Sequence, residues 1–238
     1  MTTTKVAAVF GVGPGLGASV ARRFAREGYA VALLARGEAN LREVHAEITR
    51  GGGRSAVVPA DAGDAASVSA AFAQVRSELG APEVFVYNAG AFQMGGILEV
   101  DPAAFESAWR VNCLGAFLCA REVLPAMLER GRGTLLFTGA TASLRGSARF
   151  AGLAVGKFGL RALAQSLARE FGPRGIHVAH VVIDGQIDTA RVRSMVPGRD
   201  ASTMLAPDAI AETYWQLHQQ HPTAWTQELD LRPAPEKF

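Results

Sequence analysis

The feature that most constrains the fold is the stretch 6–17, in which a short apolar run leads into four glycines placed on every second position. The run Val6–Phe10 has the length of a buried strand. A helix is predicted directly after the glycines, with Val20 and Phe24 on one face and Gly28 as its end. A strand, a glycine turn and a helix N-terminus together form a phosphate site, because unpaired N–H groups and the helix dipole favour an anion.

The spacing of these glycines fits two nucleotide-binding patterns. Gly13, Gly15 and Ala18 match the dinucleotide pattern G-x-G-x-x-G/A. Gly11, Gly15 and Gly17 match a second pattern, G-x-x-x-G-x-G. A tight strand–helix turn without a ligand remains the alternative, but the strand before and the helix after favour nucleotide binding.

Composition and charge restrict the classes of function. The chain has 238 residues, of which 49% are hydrophobic, and we expect one domain over 1–238. A net charge of +2 argues against a general nucleic-acid or anionic-membrane binder. Cys113 and Cys119 lack metal-site spacing and are expected to be small buried residues. Neither a signal peptide nor a membrane-length apolar run is recognised, so we expect a cytoplasmic protein without a membrane partner.

Strands and helices alternate along the whole chain. Strands are predicted at Val6–Phe10, 29–35, 56–59, Val84–Tyr87, Gly133–Thr138, Ile176–Ile183 and 228–232. This alternation predicts an α/β fold, a single Rossmann-like doubly wound domain whose parallel sheet of about seven strands has helices on both faces. The least periodic segment, 186–207, is a candidate lid.

Ligands of such sheets bind beyond the carboxyl ends of the strands. That rule brings together segments that are far apart in sequence. We expect them to form one rim, made of 11–17, Arg36, Asp61, 88–90, 138–143 and 184–189.

These segments resemble the short-chain dehydrogenase/reductase family over nearly the whole chain. The matching pieces are Gly11-x-x-x-Gly15-Leu16-Gly17, Asp61-Ala62, Asn88-Ala89-Gly90, Asn112, Lys157 and 184–189. One departure is Asp184, which stands where the family usually has proline. The resemblance implies hydride transfer between a nicotinamide cofactor and a small-molecule carbonyl or alcohol, in a homodimer or homotetramer.

The resemblance also implies a role for each matching residue. The cofactor pyrophosphate would lie on Gly11, Gly13, Gly15, Leu16 and Gly17. The adenine would contact Asp61 and Ala62, its ribose would lie over Asn88, Ala89 and Gly90, and the nicotinamide carboxamide would be held by Ile187 and Thr189. For Asp61 and Asn88, plain turn formation is the alternative.

Arg36 bears on the choice of cofactor. Proteins that use NAD place an acidic residue at the end of the second strand, where it binds the ribose 2′-hydroxyl. Ala35 stands there in this chain, and Arg36 follows. A guanidinium suits a 2′-phosphate, so NADP(H) is favoured over NAD(H). A solvated loop arginine is the alternative.

The family's catalytic residues are only partly present. Relatives use a serine, a tyrosine, a lysine four residues after the tyrosine, and an asparagine. Lys157 and Asn112 match the last two, and Lys157 would also hold the nicotinamide ribose. Leu153 stands at the tyrosine position and Ala140 at the serine position, as in a subgroup that lacks the tyrosine but keeps the lysine.

Two functions therefore remain open at the sequence level. The first is an NADP-dependent reductase or dehydrogenase with a non-standard proton donor. A water held by Lys157 and Asn112 is one candidate proton source, and Tyr87 is a more distant candidate acid. The hydroxyls of Thr138, Thr141 and Ser143 are candidates to replace the serine. The second is an inactive NADP(H)-binding protein that acts as a sensor or as a partner of active relatives.

Overall fold

A computed structural model describes residues 5–235 of the chain. Its strands are β1 (Val6–Phe10), β2 (Ala30–Ala35), β3 (Ser55–Pro59), β4 (Val84–Tyr87), β5 (Gly133–Thr138), β6 (Ile176–Ile183) and β7 (Glu228–Leu231). They form one seven-stranded sheet in the order β3-β2-β1-β4-β5-β6-β7, and every neighbouring pair is parallel. The predicted doubly wound sheet is confirmed.

Helices cover both faces of this sheet. They are α1 (Leu16–Arg26), α2 (Glu38–Arg50), α3 (Ala65–Glu78), α4 (Pro102–Trp109), α5 (Gly115–Arg130), α6 (Ala151–Phe171), α7 (Ala190–Met195) and α8 (Pro207–His218). One core cluster packs α3, α5 and α6 on one face, and a second packs α1, α2 and α8 on the other. Burial on both faces explains why β1 is apolar at every position.

Two aspartates cap the helices that follow them. Asp64 accepts a hydrogen bond from the Ser67 N–H at the start of α3. Asp101 accepts from the N–H groups of Ala103 and Ala104 at the start of α4, where Pro102 occupies the first helical position. Both satisfy N–H groups that a helix leaves without internal partners.

The helical region from Pro102 to Arg130 is not α-helical throughout. Arg110–Leu114 forms a π-helical turn between α4 and α5. α5 then runs through Pro125. Within residues 5–235, the helical stretch Pro102–Arg130 is long and apolar enough to cross a membrane by length and composition alone. Core helices of doubly wound proteins share this property, and α5 packs one face into the core.

The segment 186–207 contains regular structure that its weak periodicity does not predict. α7 lies inside it, and Thr189 caps that helix by accepting a hydrogen bond from the Val192 N–H at 3.2 Å. Ile187 forms a single parallel bridge with Leu205, which closes the segment on itself.

Candidate functional site

The glycine loop after β1 is shaped by close backbone approaches. Gly11 has φ +99°, and a Cβ there would lie 2.4 Å from the Ala89 nitrogen. A Cβ on Gly17 would lie 2.3 Å from the Gly11 carbonyl oxygen, so the start of α1 packs directly on the end of β1. A Cβ on Gly13 would meet nothing within 4 Å. Gly11 and Gly17 are therefore required by packing, whereas Gly13 leaves open space.

Asn88 ties the end of β4 to this loop. Its side-chain amide donates a 2.9 Å hydrogen bond to the Gly11 carbonyl oxygen, and its N–H donates to Phe10 at 2.7 Å. The amide thus holds the glycine loop against the end of β4, which is a contact between two strand ends and not a bond within its own turn.

A cleft of about 320 Å³ opens at the carboxyl ends of β1 to β4. It brings together the predicted cofactor residues of the adenosine half. They are Gly11, Gly13, Arg36, Asp61, Ala62, Asn88, Ala89 and Gly90. The rim expected from the parallel-sheet rule is thus present on this side.

Two side chains of the cleft carry opposite charges. Asp61 accepts a 2.8 Å hydrogen bond from the Gly63 N–H, which forms the turn that leads into α3. Arg36 is exposed, and its guanidinium has no hydrogen bond or ion pair with any residue from 5 to 235. An unpaired guanidinium on the wall of a cleft is free to bind an anion.

A second group of predicted residues meets beside Gly90. Lys157, on α6, is 6% exposed, and its Nζ donates a 2.8 Å hydrogen bond to the Thr138 carbonyl oxygen. A Cβ on Gly90 would lie 3.4 Å from Asn112 Oδ1 and 3.8 Å from Lys157 Nζ. Burial lowers the pKa of Lys157 to about 8, because an apolar surrounding disfavours the ammonium.

Asn112 lies in the π-helical turn and is fully buried. Its Oδ1 accepts from the Ala91 N–H at 3.1 Å, and its Nδ2 donates to the Ala91 carbonyl oxygen at 2.9 Å. Gly156 on α6 makes room for it, since a Cβ there would lie 2.5 Å from the Asn112 Cβ. The amide therefore fixes the loop that carries Gly90.

Comparison with known proteins agrees with this geometry. Residues 5–200 match the family described as short chain dehydrogenase. The chain belongs to the short-chain dehydrogenase/reductase family. A short-chain dehydrogenase/reductase of Armillaria gallica is 35% identical over 177 residues, which cover 73% of this chain and 68% of that protein.

Solved structures of short-chain dehydrogenases/reductases share the whole architecture. A short-chain dehydrogenase from Rhodopseudomonas palustris is 39% identical with a TM-score of 0.84, over 96% of this chain and 98% of that one. A metagenomic short-chain oxidoreductase in complex with NADP is 28% identical with a TM-score of 0.85, over 99% of this chain and 100% of that one. This is a family of NAD(P)-dependent oxidoreductases.

The short-chain dehydrogenase/reductase resemblance predicted roles for residues outside the adenosine cleft as well. A Cβ on Gly15 would lie 2.7 Å from Thr189 Cγ2, so the segment 186–207 packs on the glycine loop. Leu16 and Gly17 are buried in the first turn of α1. Ile187 is half-buried beside Leu205.

Leu153 and Ala140 are the residues that the sequence resemblance aligns with the family's tyrosine and serine. Leu153 precedes Lys157 by four residues on α6, and Ala140 follows the end of β5. Neither side chain has a proton to donate.

The four hydroxyls considered as substitutes all have partners. The Thr138 hydroxyl lies 2.8 Å from the Tyr214 hydroxyl, and Thr141 donates to Asp184 at 2.5 Å. Ser143 is fully buried and accepts from the Ala140 N–H. The Tyr87 hydroxyl donates to the Val111 carbonyl oxygen, and burial raises its pKa well above the usual value.

Sequence reasoning missed a polar cluster under this site. His180 Nδ1 lies 2.9 Å from Glu228 Oε2, and Arg161 donates to both oxygens of Glu228 at 2.7 and 2.6 Å. The signal was present, because histidine is unexpected in a strand as apolar as Ile176–Ile183.

Proposed function

We propose that this protein is an NADP(H)-dependent oxidoreductase that transfers hydride between the cofactor and the carbonyl or alcohol group of a small molecule. The observation that carries the proposal is the buried Lys157 ammonium, whose Nζ lies beside Gly90 at the end of the nucleotide cleft. Burial of a lysine without an ion pair lowers the stability of the fold, because the ammonium loses its hydration. A role for its charge explains why it is kept there.

The glycine loop fits the pyrophosphate of a dinucleotide. The N–H groups of Ala18 and Ser19 donate to the carbonyl oxygens of Gly13 and Gly15. The first turn of α1 has no side-chain cap and no acidic residue, so no side chain competes with an anion for the N–H groups of Leu16 and Gly17. Gly13 leaves open space in front of them. In this proposal Gly11, Gly15, Leu16 and Gly17 shape the loop around the phosphates.

Arg36 supports NADP(H) as the cofactor. No acidic side chain stands at the end of β2, where Ala35 is followed by the exposed and unpaired guanidinium. The forked donors of Arg36 would bind the 2′-phosphate. Asp61, Ala62, Asn88 and Ala89 would then surround the adenosine.

The chemistry of the other half depends on Lys157. When bound, the nicotinamide supplies or accepts a hydride. Lys157 would hold the adjacent ribose and, with its pKa lowered to about 8, supply the proton for carbonyl reduction directly or through one water. Asn112 would act by holding the loop of Gly90. Ile187 and Thr189 would hold the carboxamide, with 186–207 as a lid.

A second candidate function rests on a specific observation. The hydroxyls of Thr138 and Thr141 bond Tyr214 and Asp184. By the resemblance, Leu153 and Ala140 would replace the usual proton donor and oxygen ligand. A protein that binds NADP(H) without turnover, as a sensor or as a partner of active relatives, would tolerate these changes. This atypical pair of residues is the reason to test turnover separately from binding.

The test is NADPH oxidation by purified protein with a panel of aldehydes and ketones. The proposal predicts turnover by the wild type and its loss in Lys157→Met. The double variant Leu153→Tyr/Ala140→Ser is the positive control and is expected to reduce carbonyls about 10²–10⁴ times faster. Turnover by the double variant alone, with NADPH bound by the wild type, supports the second function. If neither the wild type nor the double variant binds NADPH, both proposed functions are contradicted.

We also propose that the chain forms a homodimer or homotetramer through α5 and α6. Phe117, Val155 and Phe158 on these helices are 42%, 47% and 42% exposed, which is unusual for large apolar side chains on a helix pair. A second copy of the same face would cover them. Charged substitutions at Phe117 and Phe158 are expected to yield monomers in sedimentation experiments.

A further inference from the structure

His180 lies in the core beneath the candidate site, and one of its ring nitrogens has no hydrogen-bond partner in the described part of the chain. Nδ1 is 2.9 Å from Glu228 Oε2, and Arg161 holds the pKa of Glu228 below its usual value. A carboxylate only accepts hydrogen bonds, so Nδ1 carries the ring proton and Nε2 presents a lone pair. Nε2 is buried and has no hydrogen-bond partner among residues 5–235. Buried polar atoms that lack a hydrogen-bond partner are rare in folded proteins.

A glycine makes room for this nitrogen. A Cβ on Gly139 would lie 2.4 Å from His180 Nε2 and 3.0 Å from Ser143 Oγ. The lone pair therefore occupies the space in which a side chain at position 139 would begin. It is aimed at the turn that leaves β5 and leads to Ala140.

Lys157 contacts the residue before Gly139 from α6. Its Nζ donates to the Thr138 carbonyl oxygen, and the Thr138 carbonyl and the Gly139 nitrogen belong to one peptide bond. The ammonium therefore lies against the Thr138 carbonyl oxygen, and the imidazole lies against the adjoining residue, Gly139. Within the described part of the chain, Lys157 has no ion pair that would neutralise its charge.

The charged groups that face His180 come from two elements. α6 supplies Lys157 and Arg161, and β7 supplies Glu228. β5 and the turn Thr141–Ser143 contribute polar but uncharged groups. Burial lowers the pKa of His180, Glu228 raises it, and the charge of Lys157 lowers it again. Because Arg161 already pairs with Glu228, Lys157 is the positive charge that bears most directly on the imidazole.

We propose that His180 is a positioning residue for Lys157, and that the two side chains hold a single positive charge between them. The charge resides on Lys157 while the imidazole is neutral. Protonation of Nε2 places a second charge against Gly139 and weakens the hold of Lys157 on the Thr138 carbonyl oxygen. The consequence for cofactor binding rests on the proposed function, whereas the coupling between the two groups is measurable without a cofactor.

The first experiment measures the histidine pKa values by NMR in ¹³C/¹⁵N-labelled protein. In Lys157→Met the pKa of His180 is expected to rise by at least half a unit, because a like charge has been removed. His177 is the matched control, since it lies on the same strand with its side chain on the opposite face. An unchanged pKa of His180, or an equal shift of His177, overturns the proposal.

The second experiment compares NADPH binding at pH 7 and pH 5 in the wild type and in His180→Gln. The glutamine retains a donor for Glu228 but takes up no proton. For each protein the measured quantity is the ratio of the NADPH affinity at pH 7 to that at pH 5. We expect this ratio to be at least three times larger for the wild type than for His180→Gln. The difference isolates His180, because the 2′-phosphate titrates in both proteins. Equal losses overturn the role in positioning. Absence of NADPH binding removes the proposed function but leaves the NMR experiment to decide the coupling.

Discussion

The Lys157 ammonium donates a 2.8 Å hydrogen bond to the carbonyl oxygen of Thr138, which fastens α6 to the carboxyl end of β5. Leu153 stands one helical turn before Lys157, and a leucine side chain has no proton to donate. In the proposed mechanism the ammonium is therefore the acid as well as the ribose ligand.

The pH dependence of carbonyl reduction follows from the pKa of Lys157, which burial lowers to about 8. The protonated form is the acid, so activity is expected to be constant at neutral pH and to fall as pH rises through about 8, by roughly tenfold per unit. Lys157→Arg keeps the charge but cannot give up its proton, and should be slow without this decline. Lys5→Met, a lysine at the opposite end of β1, should match the wild-type profile.

Arg36 should control the preference between cofactors. Arg36→Ala is expected to weaken NADPH binding by roughly 10–100-fold, the cost of a lost charge-assisted hydrogen bond, while NADH binding changes little. Arg50→Ala is the matched control, because Arg50 is exposed at the far end of α2. Equal losses for NADPH and NADH in Arg36→Ala would show that the guanidinium does not bind the 2′-phosphate. Fluorescence titration provides both constants.

Substitutions at two positions of the glycine loop are expected to distinguish an effect on stability from an effect on cofactor binding. Gly13→Ala is expected to keep the wild-type melting temperature, since its Cβ meets nothing within 4 Å, but to weaken NADPH binding by filling the cleft. Gly11→Ala should lower the melting temperature, because φ is +99° and the Cβ would lie 2.4 Å from the Ala89 nitrogen. Thermal unfolding and a cofactor titration of both variants check this. Unimpaired binding by Gly13→Ala contradicts the loop assignment.

Buried histidines should make the protein sensitive to acid. Burial lowers the pKa of His218 from 6.5 to about 4, while its ring bonds Tyr29 and Thr134. As pH falls below about 6.5, His218 takes up a proton in the unfolded chain but stays neutral in the folded state. Its contribution to the free energy of unfolding is therefore complete above about pH 6.5 and is lost as pH falls towards 4.

The measurement is the free energy of unfolding in urea. Between pH 7 and pH 5, His218→Gln should lose about 2 kcal/mol less than the wild type. His221→Gln, at an exposed position, should lose as much as the wild type. Equal acid losses in all three proteins would exclude His218 as a cause.

The fold and the adenosine half of the site follow from local sequence signals. Val6–Phe10 and Ile176–Ile183 are apolar runs of strand length between helical segments, and parallel pairing then places Arg36, Asp61 and Asn88 on one rim. Asp64 and Asp101 mark helix starts because capping needs only neighbouring N–H groups.

The features that sequence reasoning missed depend on contacts between distant residues. The π-helical turn at Arg110–Leu114 contains no glycine or proline and coincides with the hydrogen bonds of Asn112 to Ala91. The sequence does not reveal that His180 Nε2 lies against Gly139, because Gly139 follows β5 whereas His180 is on β6. The partners of Thr138 and Thr141 likewise come from α8 and the end of β6.

The most direct test of the central claim is a titration of purified protein with NADPH, followed by the fluorescence of the cofactor, beside the same titration with NADH. If the protein is an NADP(H)-dependent oxidoreductase that binds its cofactor in this cleft, NADPH will bind saturably and more tightly than NADH. If neither cofactor binds, the site does not hold a dinucleotide and the proposed function is wrong.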